Sequence, residues 1–383
     1  MLQVPLLLAA AAMAAVFAWQ TFAVRFAFSG NWTALFCTGD GFTVPPELSS
    51  GTYRWRNSFG YDGQFYRYIA HDPFFRKGYS RYIDDARLRY RRILMPALAH
   101  SLALGRRGAI DGAILGTVLL SIGAGVYWSA GYFRHHGRRP AWGLVFVAAP
   151  ATLASFDRLL IDSGLTALFA GFVLYVERGE WRKAWVICLL GPLARETGLF
   201  LPAGAVVYWL YRRQWAKAAA FCAAVLPAAL WAAFVWVRTG PSLAHGIITW
   251  PGLGIVRRLF LVRPYPDPFV QAVLNVAGLA SIVGLIASLV FAAWWLRRSE
   301  FDAVAVAVAL FFVLALILGS PNHMAEAYGY ARPISPLLLW VMWRAVLGRV
   351  WVALAAPLAV SASVALYVIG PVVSVLRGRP PGG

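Results

Sequence analysis

The sequence predicts an all-α, multi-pass integral membrane protein, and three observations support that prediction. Of its 383 residues, 60% are hydrophobic and 13% are charged, whereas soluble domains carry about 25% charged residues. The apolar residues fall into long runs, as membrane-crossing helices require. Lys and Arg (35) outnumber Asp and Glu (16), but the arginines form short groups between apolar runs. This pattern argues against a basic face for nucleic acid, so we expect no nucleic-acid partner.

Eleven apolar runs predict about 11 transmembrane helices in a single integral membrane domain, residues 1–383. The first run, 4–24, has no Lys or Arg before Arg25 and exceeds an ordinary signal-peptide core, so we expect it to be retained rather than cleaved. The other runs are 109–133, 141–156, 159–176, 184–194, 199–211, 218–237, 270–296, 303–319, 333–347 and 350–372.

The longest polar stretch, residues 26–108, separates the first two runs. Its apolar segment, Ile93 to Leu104, is too short to span a bilayer and predicts a half-inserted or surface helix. Aromatic residues recur at helical spacing in Tyr61 to Phe74, which predicts an interfacial amphipathic helix. We therefore expect a long first loop that contains short amphipathic helices.

The distribution of basic residues predicts the orientation. Thirteen Lys and Arg lie in five short connections that fall on one side if the passes alternate. They are Arg134, Arg138, Arg139, Arg178, Arg182, Lys183, Arg212, Arg213, Lys217, Arg297, Arg298, Arg344 and Arg349. Short loops rich in Lys and Arg stay in the cytoplasm. We therefore expect a plasma (inner) membrane protein with a cytoplasmic N-terminus and residues 26–108 outside, although Arg25 alone favours the opposite sense.

With this orientation, twelve of the sixteen carboxylates lie on or near the non-cytoplasmic side. They are Asp40, Glu47, Asp62, Asp72, Asp84, Asp85, Asp111, Asp157, Asp162, Glu196, Asp267 and Glu326. The sequence thus predicts an outward-facing polar site. For Asp62 itself, an aromatic belt against headgroups with a carboxylate stabilised at a helix N-terminus is an equally good explanation.

Four motifs carry a resemblance to a known family: Tyr61 to Phe74, Leu88 to Pro96, Leu193 to Gly198 and Tyr330 to Pro336. In order and spacing they resemble bacterial multi-pass proteins implicated in cell-surface glycopolymer formation, which in turn resemble the GT-C glycosyltransferases. The Asp-Gly-Gln-aromatic-Tyr core that begins at Asp62 is similar to the second mannosyltransferase of GPI-anchor synthesis.

The resemblance implies a GT-C-like bundle with its active site on the non-cytoplasmic face. It implies transfer of a hexosyl or pentosyl unit from a polyprenyl-phosphate sugar to a lipid or glycan acceptor, among membrane lipids. Asp62 matches the catalytic base of the first outer loop, and Asp157 and Asp162 match acids between the third and fourth helices. Gln64 and Tyr66 of the same motif become candidate substrate contacts. Asp40, a second acid in that loop, could compete with Asp62 for the role of base, although Gly-Asp-Gly is typical of a turn.

A sugar phosphate leaves as a stabilised anion, so positive charge can replace the acid that glycoside hydrolysis needs. Arg binds phosphate through two parallel hydrogen bonds. The outer-face candidates are Arg91, Arg92, Arg195 with Glu196, and Arg332. Two simpler explanations remain open: Arg195 and Glu196 could form a self-contained ion pair, and one arginine of the Arg91–Arg92 pair could extend to lipid headgroups.

The cofactor and two other functions stay undecided at this level. A divalent metal is compatible with the scattered carboxylates Asp40, Asp62, Asp157, Asp162 and Glu196, since hard cations leave little sequence signature. A transporter or flippase of lipid-linked glycan is one alternative, kept open by the helix interruptions at Pro192, Pro202 and Pro227. The other is a non-catalytic subunit of a glycan assembly complex, which would tolerate loss of Asp62.

Overall fold

The computed structural model describes residues 3–241, 248–265 and 267–376, and these residues form a helical bundle without a regular strand. Helices of the first half are α1 (Gln3–Ala27), α2 (Pro46–Ser49), α3 (Asp62–His71), α4 (Ala86–Arg91), α5 (Leu94–Leu102), α6 (Arg107–His135), α7 (Pro150–Arg158), α8 (Asp162–Glu177), α9 (Trp181–Ala194) and α10 (Phe200–Tyr211). Helices of the second half are α11 (Trp215–Ala223), α12 (Leu226–Arg238), α13 (Leu253–Leu259), α14 (Pro268–Leu296), α15 (Ala303–Ile317), α16 (Pro321–Met324), α17 (Ala327–Tyr330), α18 (Ser335–Gly348), α19 (Trp351–Val368) and α20 (Gly370–Leu376). Short 3₁₀ helices lie at Trp32–Phe36, Tyr79–Tyr82, Pro140–Ala148 and Glu196–Leu199.

Five helical stretches in the described residues are long and apolar enough to cross a membrane. They are Gln3–Ala27, Arg107–His135, Trp215–Arg238, Pro268–Leu296 and Trp351–Val368. The protein is therefore an α-helical membrane protein by the length and composition of these helices. The larger number of eleven passes stays a prediction.

Prolines interrupt two of the predicted runs. The run 141–156 divides into a 3₁₀ helix, Pro140–Ala148, and α7, which begins at Pro150. The run 218–237 divides into α11 and α12, with Pro227 in the first turn of α12. Proline lacks the amide hydrogen that an uninterrupted helix would use and is favoured in a first turn, which explains both divisions.

The segment between α1 and α6 forms a folded layer at one end of the bundle, the end at which α8 begins. Helix α3 was expected to lie at the membrane interface, but every residue from Gly63 to His71 is buried. It packs against α5, α6 and the 3₁₀ helix Tyr79–Tyr82, so it has no face left for headgroups and the interfacial prediction is wrong. Helix α5, predicted from the run Ile93 to Leu104, also packs on α6.

The helices have two chemically distinct ends. Helix α8 begins at Asp162 and ends beside Arg178, α9 begins beside Arg182 and ends at Ala194, and α18 begins just after Arg332 and ends beside Arg349. Helix α8 alone has 16 residues, a length of about 24 Å. Acidic and arginine side chains of the predicted site thus lie at one end of these helices and the Arg-rich loops at the other.

Candidate functional site

Asp62 is the first residue of α3 and contacts two arginines from distant parts of the chain. Its Oδ2 lies 2.9 Å from Arg89 Nη1 and 3.0 Å from Arg332 Nη1. Arg332 also donates through Nε to the Tyr328 carbonyl at 2.9 Å, which fixes the direction of its guanidinium. One carboxylate oxygen is therefore shared between two positive charges.

Asp162, the first residue of α8, lies on the other side of Arg332. Its Oδ2 is 3.2 Å from Arg332 Nη1, and its Oδ1 pairs with Arg195. The Asp162 side chain is 1% exposed. Arg332 stands between Asp62 and Asp162, where a cation shared by the two carboxylates would otherwise lie.

Arg195 and Glu196 are not paired with each other. Glu196 accepts from Arg92 Nε at 3.0 Å, and Arg92 Nη1 donates to the Tyr66 hydroxyl at 3.0 Å. The explanation of Arg195 and Glu196 as a self-contained pair is therefore wrong, because the chain turns at this point and sends the two side chains to different partners. Burial opposes ionisation of Glu196, but Arg92 and Arg195 outweigh it and lower the pKa of this carboxyl.

Electrostatics keep Asp62 ionised. Burial would raise the pKa of Asp62, yet the charges and hydrogen bonds of Arg89 and Arg332 outweigh burial and hold this pKa well below its usual range. Burial, followed by the charges of Arg332 and Arg195, lowers the pKa of His323 to about 4. His323 is thus a neutral neighbour of the positive charges at neutral pH.

Asp157 lies at the end of α7, outside this network of ion pairs. Its Oδ2 accepts from the Tyr328 hydroxyl at 3.0 Å and from Arg158 Nε at 3.2 Å. Burial raises the pKa of Asp157. The Arg158 guanidinium lies 5.0 Å from the ring centroids of both Tyr61 and Tyr328, and Arg332 lies 4.9 Å from the Tyr61 ring. Tyr61 thus separates the Asp157–Arg158 pair from the ion pairs around Asp62.

In the described part of the chain, three residues that were predicted from the sequence form no hydrogen bond or ion pair with Asp62, Asp162 or Arg332. Gln64 is buried and braces the loop before α3, since its Oε1 accepts from the Gly39 amide at 3.3 Å and its Nε2 donates to the Phe59 carbonyl at 2.9 Å. Arg91 is 39% exposed, and its nearest Glu196 oxygen is 3.9 Å away. Asp40 is exposed and accepts from the Asn57 and Ser58 amides at 3.0 and 3.1 Å, which fits a turn.

Two arginines of the site were not singled out from the sequence. Arg89 contacts both Asp62 and Asp84, and its spacing of three from Arg92 was the available signal, because residues three apart share a helix face. Arg158 follows Asp157 directly and could have been noticed as a charge beside a predicted acid.

Close backbone packing positions Asp62. A Cβ on Gly63 would lie 2.2 Å from the Arg158 carbonyl oxygen and 3.0 Å from the Phe36 carbonyl oxygen. Only glycine allows the first turn of α3 to approach the end of α7 this closely. The Gly after Asp62 therefore sets the distance between the two parts of the site.

The carboxylates do not gather around a common point. Among the described residues, no three His, Cys, Asp or Glu side chains are grouped as ligands of a metal ion. Asp62, Asp162 and Glu196 each contact arginine instead.

The site thus joins the start of α3 and of α8, the end of α4 and of α9, and the segment before α18. Of the predicted residues it brings together Asp62, Tyr66, Arg92, Asp162, Arg195, Glu196 and Arg332, with Asp157 beside them. Comparison with protein-family models, with curated proteins and with solved structures gives no match for this chain.

Proposed function

We propose that this protein is a GT-C-type glycosyltransferase of the plasma membrane, with its N-terminus in the cytoplasm. It transfers a monosaccharide from a polyprenyl-phosphate sugar to a lipid or glycan acceptor on the non-cytoplasmic face. The observation that carries the proposal is the contact between Asp62 and Arg332, which are 270 residues apart in the chain. A candidate base and candidate phosphate ligands meet at one end of the bundle.

The arginines suit a phosphate leaving group. Arg89, Arg92, Arg195 and Arg332 offer planar guanidinium groups, which bind phosphate oxygens bidentately. Burial, followed by the charges of Arg92 and Arg332, lowers the pKa of Arg195 to about 9, so all four are charged at neutral pH. As the bond between the anomeric carbon and the phosphate oxygen breaks, negative charge grows on that oxygen, and fixed positive charge stabilises it. The second carboxylic acid of glycoside hydrolysis is then unnecessary.

In this mechanism Asp62 takes the proton of the acceptor hydroxyl. A carboxylate held by two guanidinium groups is a weak base, because a general base works best with a pKa near the operating pH. A donor phosphate that recruits Arg89 and Arg332 would withdraw hydrogen bonds from Asp62 and raise its proton affinity. Donor binding would in this way prepare the base for the acceptor.

The site and the Arg-rich loops lie at opposite ends of the helices, and this separation supports the proposed orientation. The site lies at the ends of α8, α9 and α18 opposite the loops that contain Arg178, Arg182 and Arg349. Loops rich in Lys and Arg favour the cytoplasm, which leaves the site on the outer side. An outer site has access to lipid-linked sugars and to surface glycans.

The proposal is tested by following a labelled polyprenyl-phosphate sugar with purified protein in liposomes. We expect wild-type protein to release polyprenyl phosphate as label enters an acceptor, and Arg332→Gln to lower the rate by about 10²–10³, the usual effect of removing one preorganised charge-stabilising group. Arg91→Gln is the matched control, since 39% of the Arg91 side chain is exposed and its guanidinium lies 3.9 Å from Glu196. We expect it to lower the rate less than about threefold, as rim charges contribute little.

Two results would contradict the proposal. Wild-type protein that leaves every polyprenyl-phosphate sugar intact while moving the lipid across the bilayer would be a flippase. Equal rates for wild-type protein and Arg332→Gln would exclude Arg332 from the reaction and favour a structural role for its ion pairs with Asp62 and Asp162.

A further inference from the structure

An apolar cavity of about 570 Å³ lies beside the site. Its walls come from α1, the 3₁₀ helix Trp32–Phe36, α7, α14, α19 and α20. Three of these, α1, α14 and α19, are among the candidate membrane-spanning helices. Aliphatic and aromatic side chains such as Trp19, Val273 and Leu366 form most of the lining. An apolar cavity between membrane helices suits a lipid chain.

One end of the cavity is polar. Gln20, Asp157 and Arg158 line the cavity, and Gln20 bonds to the residue directly before Asp157. Gln20 is 1% exposed, and its Nε2 donates to the Phe156 carbonyl at 2.8 Å. Its Oε1 is buried and accepts no hydrogen bond from the described residues. A buried acceptor without a donor is costly, so a hydroxyl group that enters from the cavity as the Gln20 side chain turns toward it would supply the missing donor.

The polar end is connected to the candidate base. Arg158 lies against the Tyr61 ring, and Arg332, which contacts Asp62, lies against the same ring. Tyr61 is also the residue immediately before Asp62. A headgroup at Arg158 is therefore separated from the base by a single aromatic side chain.

We propose that this cavity binds the aliphatic chain of a lipid acceptor whose hydroxyl-bearing headgroup lies at Gln20, Asp157 and Arg158. The inference rests on the proposed function and narrows its acceptor from lipid or glycan to a lipid. The acceptor hydroxyl then approaches Asp62 past Tyr61.

The charges favour an uncharged headgroup over a phosphate. Arg158 is matched by the carboxylate of Asp157 at 3.2 Å, and Gln20 presents a second acceptor oxygen. A phosphate group is negatively charged and only accepts hydrogen bonds. At this position it would lie against the Asp157 carboxylate and Gln20 Oε1, where few hydrogen-bond donors are available to it. The arginines around Asp62 are the better site for the donor phosphate, and the cavity is left for the acceptor.

The test is photolabelling of the full-length protein in nanodiscs with a diazirine-bearing alkyl glucoside, in the absence of any sugar donor. We expect adducts on the peptides that contain Phe269–Leu274 and Leu366–Ser374. Val273→Trp and Ile369→Trp extend into the cavity from positions that are 39% and 44% exposed, so the fold has room for both. We expect each to lower labelling at least about tenfold, since a filled space excludes the chain.

Val276→Trp is the matched control, because Val276 lies on the same helix, is 68% exposed and does not line the cavity. We expect it to change labelling less than twofold. Excess unlabelled prenyl phosphate should leave labelling unchanged, and so should phosphatidylglycerol.

Three results would overturn the inference. Labelling that Val273→Trp and Ile369→Trp do not lower would place the probe elsewhere. Displacement by prenyl phosphate would assign the cavity to the donor chain, and displacement by phosphatidylglycerol would assign it to ordinary membrane lipid. The labelling experiment contains no sugar donor, so its outcome does not depend on transfer. Failure of labelling in a protein that still transfers sugar would refute the cavity as the lipid site. Loss of transfer with labelling intact would instead refute the proposed function.

Discussion

Asp162 shows at the scale of one residue how the site differs from a surface ion pair. Its side chain is 1% exposed and lies between Arg195 and Arg332. Asp84 makes a similar contact, 2.8 Å from Arg89, but 34% of its side chain is exposed. Both acids pair with arginine, but only the Asp162 carboxylate is buried, and it has two arginine partners where Asp84 has one.

We predict that Asp162→Asn lowers the free energy of unfolding by about 3–5 kcal/mol, because removing one member of a buried pair leaves an uncompensated charge. Asp84→Asn should cost about 0–1 kcal/mol, as exposed pairs do. Chemical denaturation in detergent measures both. Equal losses would mean that burial does not distinguish the two pairs.

Sequence reasoning identified many residues of the site but could not assign their partners. Asp62 and Asp162 were selected because they match acids of the family that the chain resembles, and Arg92 and Arg332 because arginine suits a phosphate leaving group. Arg195 contacts Asp162 rather than the adjacent Glu196. Neighbours in sequence do not reveal which helix end lies opposite, so such pairings require the structure.

At the scale of the element, hydrophobic runs predict helices well and their interruptions poorly. Helices α6, α9 and α10 match the predicted runs to within about three residues, since apolar length is the property that defines them. Helix α3 was recognised as a helix but not as a buried one, because its own sequence does not reveal the layer that covers it. Helix α13 carries no long apolar run and was not predicted.

The N-terminus of α3 provides the prediction at this scale. A methyl group on Gly63 would meet the backbone oxygens of Arg158 and Phe36, which cannot rotate away. We expect Gly63→Ala to shift Asp62 relative to Arg332 and to lower transfer by about 10²-fold, the effect of a displacement near 1 Å. The measurement is the transfer rate of the purified variant.

Gly112→Ala is the control, because a Cβ there has no atom within 4 Å. We expect unchanged transfer and slightly higher stability, since Ala is the better helix former. Full activity of Gly63→Ala would show that the close approach of α3 and α7 does not position the base.

At the scale of the whole molecule, an outward-facing site requires the two ends of the bundle to face opposite sides of a membrane. The orientation was predicted from basic residues alone, and the structure adds that the site and the Arg-rich loops lie at opposite ends of α8, α9 and α18. The number of passes could not be predicted as safely, because helices shorter than a bilayer occur in buried bundles as well.

Cysteine accessibility measures the orientation. Cys37 and Cys188 are buried and Cys222 is exposed, so Cys222→Ser provides the background. We predict that Ser80→Cys reacts with an impermeant thiol reagent from outside intact cells, whereas Gly137→Cys reacts only after permeabilisation. Labelling of Gly137→Cys from outside would reverse the topology and place the site on the cytoplasmic face.

The most direct measurement of the central claim compares Asp62→Asn with Asp40→Asn in the labelled-sugar assay. Asn keeps the shape of Asp but cannot accept the proton, so Asp62→Asn should remain folded and lower transfer by about 10²–10⁴, the usual contribution of a positioned general base. Asp40→Asn should retain most of the rate, because Asp40 is exposed and accepts hydrogen bonds from the backbone amides of a turn. Equal loss from both, reproduced by a chelator, would indicate a shared metal. A positioned general base contributes at least about 10²-fold, so a loss of less than about tenfold in Asp62→Asn would be too small for that role. Such a result, together with loss of activity in Asp40→Asn, would contradict the assignment of Asp62 as the base.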